Sequence, residues 1–256
     1  MLQSKNAFEI KRFMAVLMVL DHLDHIPGLL PPALAALFHA LTRCVGAWFA
    51  YAAVEGFCHT RSRARYTLRL FLWAGIMAAG NLLYNGLAAP YGLHLSNNIF
   101  FTLALGVLCL DVWAGRAMRP LSGRPLWERL ARVAGAAGVT LLAAMTAEGG
   151  IVLLPLMLIS YGCRHRIRLR NGLYLAFSLL LFCGALQIYP TLRETLLMLG
   201  FNSDFLFITV LPVIALYNGQ RGPSGRLSQY FFYVFYPLHL WVIGFIALLR
   251  VCPGML

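Results

Sequence analysis

Residues 61–92 read RSRARYTLRLFLWAGIMAAGNLLYNGLAAPYG. Four arginines, Arg61, Arg63, Arg65 and Arg69, open the stretch, a long run of mostly apolar residues follows, and an uncharged turn at 88–92 closes it. A helix of about twenty apolar residues crosses the hydrocarbon of a bilayer. Lys and Arg collect in the loops that stay in the cytoplasm. The stretch therefore predicts a span over 67–89 that leaves the cytoplasm near Arg69.

The same alternation runs along the whole chain. Further basic clusters stand at Lys5, Lys11 and Arg12; at Arg116, Arg119, Arg124, Arg129 and Arg132; at Arg164, Arg166, Arg168 and Arg170; and at Arg221 and Arg226. Between clusters lie about forty apolar residues, enough for two crossings joined by a short uncharged turn. The other spans expected are 12–28, 33–60, 96–114, 130–147, 149–163, 171–189, 198–217 and 229–250. This is an all-α polytopic bundle of nine transmembrane helices (eight to ten) in one domain over 1–256, with a cytoplasmic N-terminus and an external C-terminus. Spans five and six share only the hairpin at Glu148, Gly149 and Gly150, so one of them is a candidate for re-entry. Of the basic residues outside the clusters, Arg193 and Arg250 fall near outer ends, and Arg43 sits inside an apolar span.

Composition agrees: 60% of residues are hydrophobic, 12% are charged and the mean hydropathy is +0.73, far from a soluble domain. The net charge of +12 lies in short loops beside apolar spans, where topology and anionic lipid head groups explain it. No extended basic face of the kind that binds nucleic acid is apparent. The six cysteines show no paired spacing, which argues against a metal or redox motif. The first apolar stretch lacks a small-residue cleavage site and runs into DHLDHIPG, so it reads as a retained span.

Ionisable side chains inside a span are costly and usually face a cavity or a partner. Span one carries Asp21, His22, Asp24 and His25; span two carries Arg43, Glu55 and His59; span four carries Asn97, Asn98 and Asp111; span nine carries Tyr236 and His239. At 1.5 Å per residue, Asp21, His22 and His239 lie on the order of 15 Å from the inner ends of their helices, at mid-membrane depth, and Arg43 lies roughly 25 Å from its own. Asp21 and His25 share a helix face, whereas Asp21 and His22 are about 100° apart. A packing role suits several of these residues: an Asp21–Arg43 ion pair, an interhelical bond from His22, a kink cap from His239. A chemical role suits them too. A desolvated histidine beside a carboxylate is a general base for an amine or hydroxyl, and arginines at an inner mouth hold phosphates. A cytosolic phosphate-rich donor and a buried base together suggest group transfer. No zinc-site spacing occurs, and no metal is expected.

Six ordered segments resemble the TraX family: MAVLMVLDH (14–22), RCVGAWFAYAAVEGFCHT (43–60), RYTLRL (65–70), NNIFFTLALG (97–106), YNGQRG (217–222) and YFFYVFYPLHL (230–240). The resemblance spans nearly the whole chain. It implies an inner-membrane acetyltransferase whose donor is acetyl-CoA and whose acceptor is the N-terminal amine of a pilin-like peptide, with a distant likeness to transmembrane acyltransferases that modify sugars. It marks His22 as the base, with Asp21, Glu55 and His239 as further catalytic candidates. Arg43, Asn98 and Tyr236 are expected to position the acceptor or stabilise the oxyanion, and His59, Arg61, Arg63, Arg65 and Arg69 to hold the donor's phosphates. Expected partners are acetyl-CoA, membrane lipids and a peptide or glycan acceptor. The short proline-rich turn after DHLDH departs from the family and leaves the acceptor open. Rival readings are an O-acyltransferase acting on a glycan or lipid head group, a proton-coupled transporter relaying through Asp21, His22 and Arg43, and a non-catalytic pilus-assembly factor.

Overall fold

A computed structural model describes residues 4–115 and 125–252, and for Arg226 and Leu227 the backbone alone. Arg116, Arg119 and Arg124 of the third basic cluster lie outside the described residues. The elements in chain order are α1 (Ala7–His22), α2 (Pro32–Thr42), α3 (Cys44–His59), α4 (Arg63–Ala88), α5 (Ile99–Ala114), α6 (Leu126–Thr146), α7 (Gly150–Gly162), α8 (Ile167–Ala185), α9 (Leu192–Phe201), α10 (Val210–Leu216) and α11 (Arg226–Val251). Tight 3₁₀ turns at Leu23–His25, Ala89–Tyr91 and Ser203–Thr209 interrupt or extend them. Among the described residues there is no strand, only an isolated bridge between Lys5 and Tyr217.

Four helices are long and apolar enough to cross a membrane: Pro32–His59, which runs through a break at Arg43, Arg63–Tyr91, Ile167–Ala185 and Ser228–Val251. A fifth is added if Leu192–Phe201 and Ser203–Leu216, bent by 60°, count as one. The chain is thus an all-helical membrane protein with four or five such helices among the described residues, against nine expected. Two differences have a local cause. The span expected at 12–28 ends its α-helix at His22 and tightens into the 3₁₀ turn that contains Asp24. The span expected at 198–217 is broken around Asn202, Ser203 and Asp204, where the Asp204 carboxylate accepts from Arg43 Nη1. The tight hairpin expected at Glu148, Gly149 and Gly150 is present between α6 and α7, with Gly149 left-handed at φ 62°. Exposed leucines, among them Leu68, Leu72, Leu82, Leu83 and Leu87 of α4, form the kind of apolar surface that lipid covers.

The chain divides into two compact units, each built from separate stretches: 1–48 with 79–96 and 175–256, and 49–78 with 97–174. In the first unit α1 packs on α2 and α11, and α2 packs on α9 and the 203–209 turn. Asn6 and Glu9 cap α1 reciprocally, the Glu9 N–H donating to Asn6 Oδ1 at 3.0 Å and the Asn6 N–H to Glu9 Oε2 at 2.9 Å. The chain before α1 pairs with the loop after α10: Lys5 N–H donates to Leu216 O, Asn218 N–H to Lys5 O and Ala7 N–H to Gln220 O, at 3.0, 2.9 and 2.9 Å.

In the second unit α5, α6 and α7 pack on one another around Leu105, Cys109, Ala136, Ala143 and Leu154. Close approach needs glycine at Gly150, where an added Cβ would stand 2.1 Å from the Ala143 carbonyl oxygen. The Glu148 carboxylate accepts from the Asn98 N–H at 2.8 Å and from Asn97 Nδ2 at 2.9 Å. A negative group is thereby held at the N-terminus of α5, where the helix dipole favours one.

Candidate functional site

The first unit brings two expected histidines into contact. His22, the last residue of α1, and His239, in the middle of α11, are both buried, and His239 Nε2 lies 3.2 Å from His22 Nδ1. Each ring is also tied to its own helix: His22 Nδ1 lies 2.8 Å from Met18 O and His239 Nδ1 lies 3.0 Å from Phe235 O. A carbonyl only accepts, so each Nδ1 carries a proton and donates it one turn back. With both rings neutral, His239 Nε2 then presents a lone pair and accepts a share of the His22 Nδ1–H. The tautomers follow from these bonds. His22 is left with its lone pair on Nε2, the atom a general base uses.

Around this pair the environment is aromatic. Phe235 stacks on the His239 ring at 5.1 Å between centroids, Tyr236 meets it edge-on at 5.6 Å, and the ring of His25 lies 5.3 Å from that of His22. Pro237 has no N–H to give to the carbonyl one turn back, so the ladder of α11 is interrupted two residues before His239. His25 Nδ1 is buried without a hydrogen-bond partner among the described residues.

Asp21 does not orient His22; its carboxylate is taken up elsewhere. Oδ1 accepts from Thr42 Oγ1 at 2.5 Å, from Arg43 Nη2 at 3.0 Å and from His39 Nδ1 at 3.1 Å. The other nitrogen of His39, Nε2, lies 2.9 Å from Asp24 Oδ2. An imidazole with a carboxylate on each nitrogen donates from both, the arrangement of an imidazolium. Arg43 completes the cluster, donating from Nε to His39 O at 2.9 Å and from Nη1 to Asp204 Oδ1 at 3.2 Å. Three acids, one histidine and one arginine thus join the end of α1, the α2–α3 break and the 203–209 turn.

Sequence reading gives His39 and Asp204 no role. His39 stands four residues before Arg43, a helix-face spacing visible in the chain, but without the position of Asp24 that spacing names no partner. Asp204 is 161 residues from Arg43, and no local pattern joins them.

The remaining expected residues, Tyr236 apart, belong to the second unit. Glu55 is half-buried, and His59 is exposed with Nδ1–H donating to Glu55 O at 2.9 Å. Arg61, Arg65 and Arg69 are exposed. Arg63 is engaged: Nη1 donates to Asp111 Oδ1 at 3.2 Å and to Gly115 O at 3.0 Å, and its Cζ lies 4.6 Å from the centroid of the Phe57 ring. Asn98 caps α5, with Oδ1 accepting from the Phe101 N–H at 3.2 Å and Nδ2 donating to Ala74 O at 3.0 Å. Its side-chain amide is thus occupied at both ends. Among the described residues no group of three or more His, Cys, Asp or Glu side chains is placed to hold a metal ion.

A family model described as TraX protein matches residues 8–247. The chain belongs to the TraX family. The match takes in the histidine pair, the charged cluster around Asp21 and both compact units of this TraX chain. No curated protein and no solved structure matches it.

Proposed function

We propose that this TraX-family protein is a membrane acetyltransferase that moves acetyl from cytosolic acetyl-CoA to an amine, the N-terminus of a pilin-like membrane peptide. The observation that supports this reading is the buried His22–His239 contact, with its proton placement at Met18 and Phe235. His22 Nε2 takes the proton of the attacking amine, the nitrogen bonds to the thioester carbonyl carbon, and the thiolate of coenzyme A leaves and is protonated. His239 holds His22 in the productive tautomer. The exposed Arg61, Arg65 and Arg69 suit the donor's phosphates as bidentate guanidinium ligands. Arg63 contributes less, being engaged by Asp111. The charged cluster around Asp21 fixes the helix ends that carry His22.

Transfer is tested by incubating purified protein in lipid nanodiscs with labelled acetyl-CoA and a synthetic pilin-like peptide, with the same peptide blocked at its N-terminus as control. Label on the free peptide alone is the expected result. Label on neither, with label found on lipid or glycan acceptors, would replace the amine by a hydroxyl acceptor.

The proposed setting is a bacterial inner membrane crossed about nine times from a cytoplasmic N-terminus, on the charge asymmetry of the loops. Cysteine labelling in whole cells is expected to find a Ser62→Cys site shielded from an impermeant reagent and a Pro31→Cys site open to it. The reverse pattern would invert the topology.

A further inference from the structure

Arg170, the fourth residue of α8, is buried, with 7% of its surface exposed. Its guanidinium keeps its charge at any accessible pH, and a buried charge without a counter-charge is strongly unfavourable. Yet the partners it has are neutral. Nε–H and Nη2–H both donate to Asn171 Oδ1, at 3.2 and 3.0 Å, and Cζ lies 5.5 Å from the centroid of the Tyr51 ring. Among the described residues no carboxylate forms an ion pair with it.

A second guanidinium stands in the turn before α8. Arg164 is exposed, with Nη1 donating to Cys58 Sγ at 3.8 Å and Cζ 5.2 Å from the centroid of the Tyr161 ring. Tyr51 and Cys58 are seven residues apart on α3, so they share one face about 10 Å apart along the axis. The two arginines that touch them are therefore set out along that face, one buried and one at the helix end. Glu55 lies between Tyr51 and Cys58, a single carboxylate against two guanidiniums, and the nearby acid Asp111 is already paired with Arg63. This local excess of positive charge, one of its two guanidiniums buried, is what an anionic ligand would neutralise.

We propose that Arg170, with Tyr51 against its face and Arg164 toward the helix end, is a binding site for a phosphate group of a bound ligand. A nucleotide-containing donor and an anionic phospholipid head group both carry that chemistry. The first source rests on the acetyl-transfer reading; the second does not. Guanidinium on phosphate forms charge-assisted, often bidentate bonds, and in a shielded position these are screened little by salt.

The test uses the full chain in phosphatidylcholine nanodiscs. Calorimetric titrations with coenzyme A and with inorganic pyrophosphate are run on wild type, Arg170→Gln, Arg170→Lys and Arg164→Ala. Retention of phosphatidylglycerol from mixed nanodiscs is followed in parallel by native mass spectrometry. Arg170→Gln is expected to weaken the phosphate ligand that wild type binds by on the order of ten- to a hundred-fold, Arg170→Lys by less, and the exposed Arg164→Ala by a few-fold. A loss confined to coenzyme A and pyrophosphate assigns the site to the donor; a loss confined to phosphatidylglycerol assigns it to a head group and stands even if acetyl transfer fails. Wild-type affinity for all three probes in folded Arg170→Gln overturns the site while leaving acetyl transfer intact. Should both Arg170 variants misfold, unchanged affinities in Arg164→Ala overturn it equally.

Discussion

His22→Ala is expected to lose about 10²- to 10⁴-fold of acetyl transfer, the usual contribution of a positioned general base, while the protein still inserts, folds and binds acetyl-CoA. The separation of rate from yield is what distinguishes chemistry from packing here. His22 makes two contacts through one atom, Nδ1, to Met18 O and His239. A residue needed only for those bonds would lower thermal stability and activity together. His239→Ala is expected to lose less than His22→Ala, because Met18 O alone still holds the Nδ1 proton and so the tautomer. His25→Ala, whose ring touches His22 but forms no bond through Nδ1, is expected to lose least. A well-folded His22→Ala protein that keeps more than about half of its transfer rate would move the base elsewhere, to His239 or Glu55.

The second large effect falls on stability. Arg43→Ala leaves Asp21 and Asp204 without their guanidinium partner and removes the bond to His39 O. Removing one member of a largely buried, hydrogen-bonded charge pair costs about 3 kcal/mol. A marked fall in the unfolding midpoint in detergent is therefore expected. Asp204→Asn should cost far less, under about 1 kcal/mol, because that carboxylate is 55% exposed and solvated pairs contribute little. Equal losses for the two variants would show that Arg43 acts through Asp204 and the 203–209 turn rather than through Asp21.

The helix at 63–88 could be read from residues 61–92 alone, because a run of apolar residues bounded by arginines has few other physical meanings. The helices at 99–114 and 150–162 follow that logic. The broken helix at 192–216 could not be read so well: Asn202, Ser203 and Asp204 are too few to lower a hydropathy average, yet the helix breaks there, where Asp204 reaches Arg43. Of the candidate site, His22 and His239 were legible as buried polar residues at matching depth, and the structure brings their rings together. Asp21 was legible as a partner of Arg43, but its bond to His39 was not, since His39 in PALAALFHALT looks like an ordinary helix residue. Asn98 shows the opposite failure, a conspicuous amide in an apolar setting whose position is that of a helix cap.

The pairing of Lys5 and Ala7 with the 216–220 loop has a bearing on how His22 responds to its surroundings. A helix of sixteen residues held only by lipid adjusts to bilayer thickness by tilting or sliding. Here α1 starts from a pegged end, with three backbone bonds to that loop and a reciprocal cap at Asn6 and Glu9. The histidine at its other end therefore keeps a fixed height above the loop whatever the lipid, so thinning or thickening of the membrane reaches it only by moving α1 and the 216–220 loop as one piece.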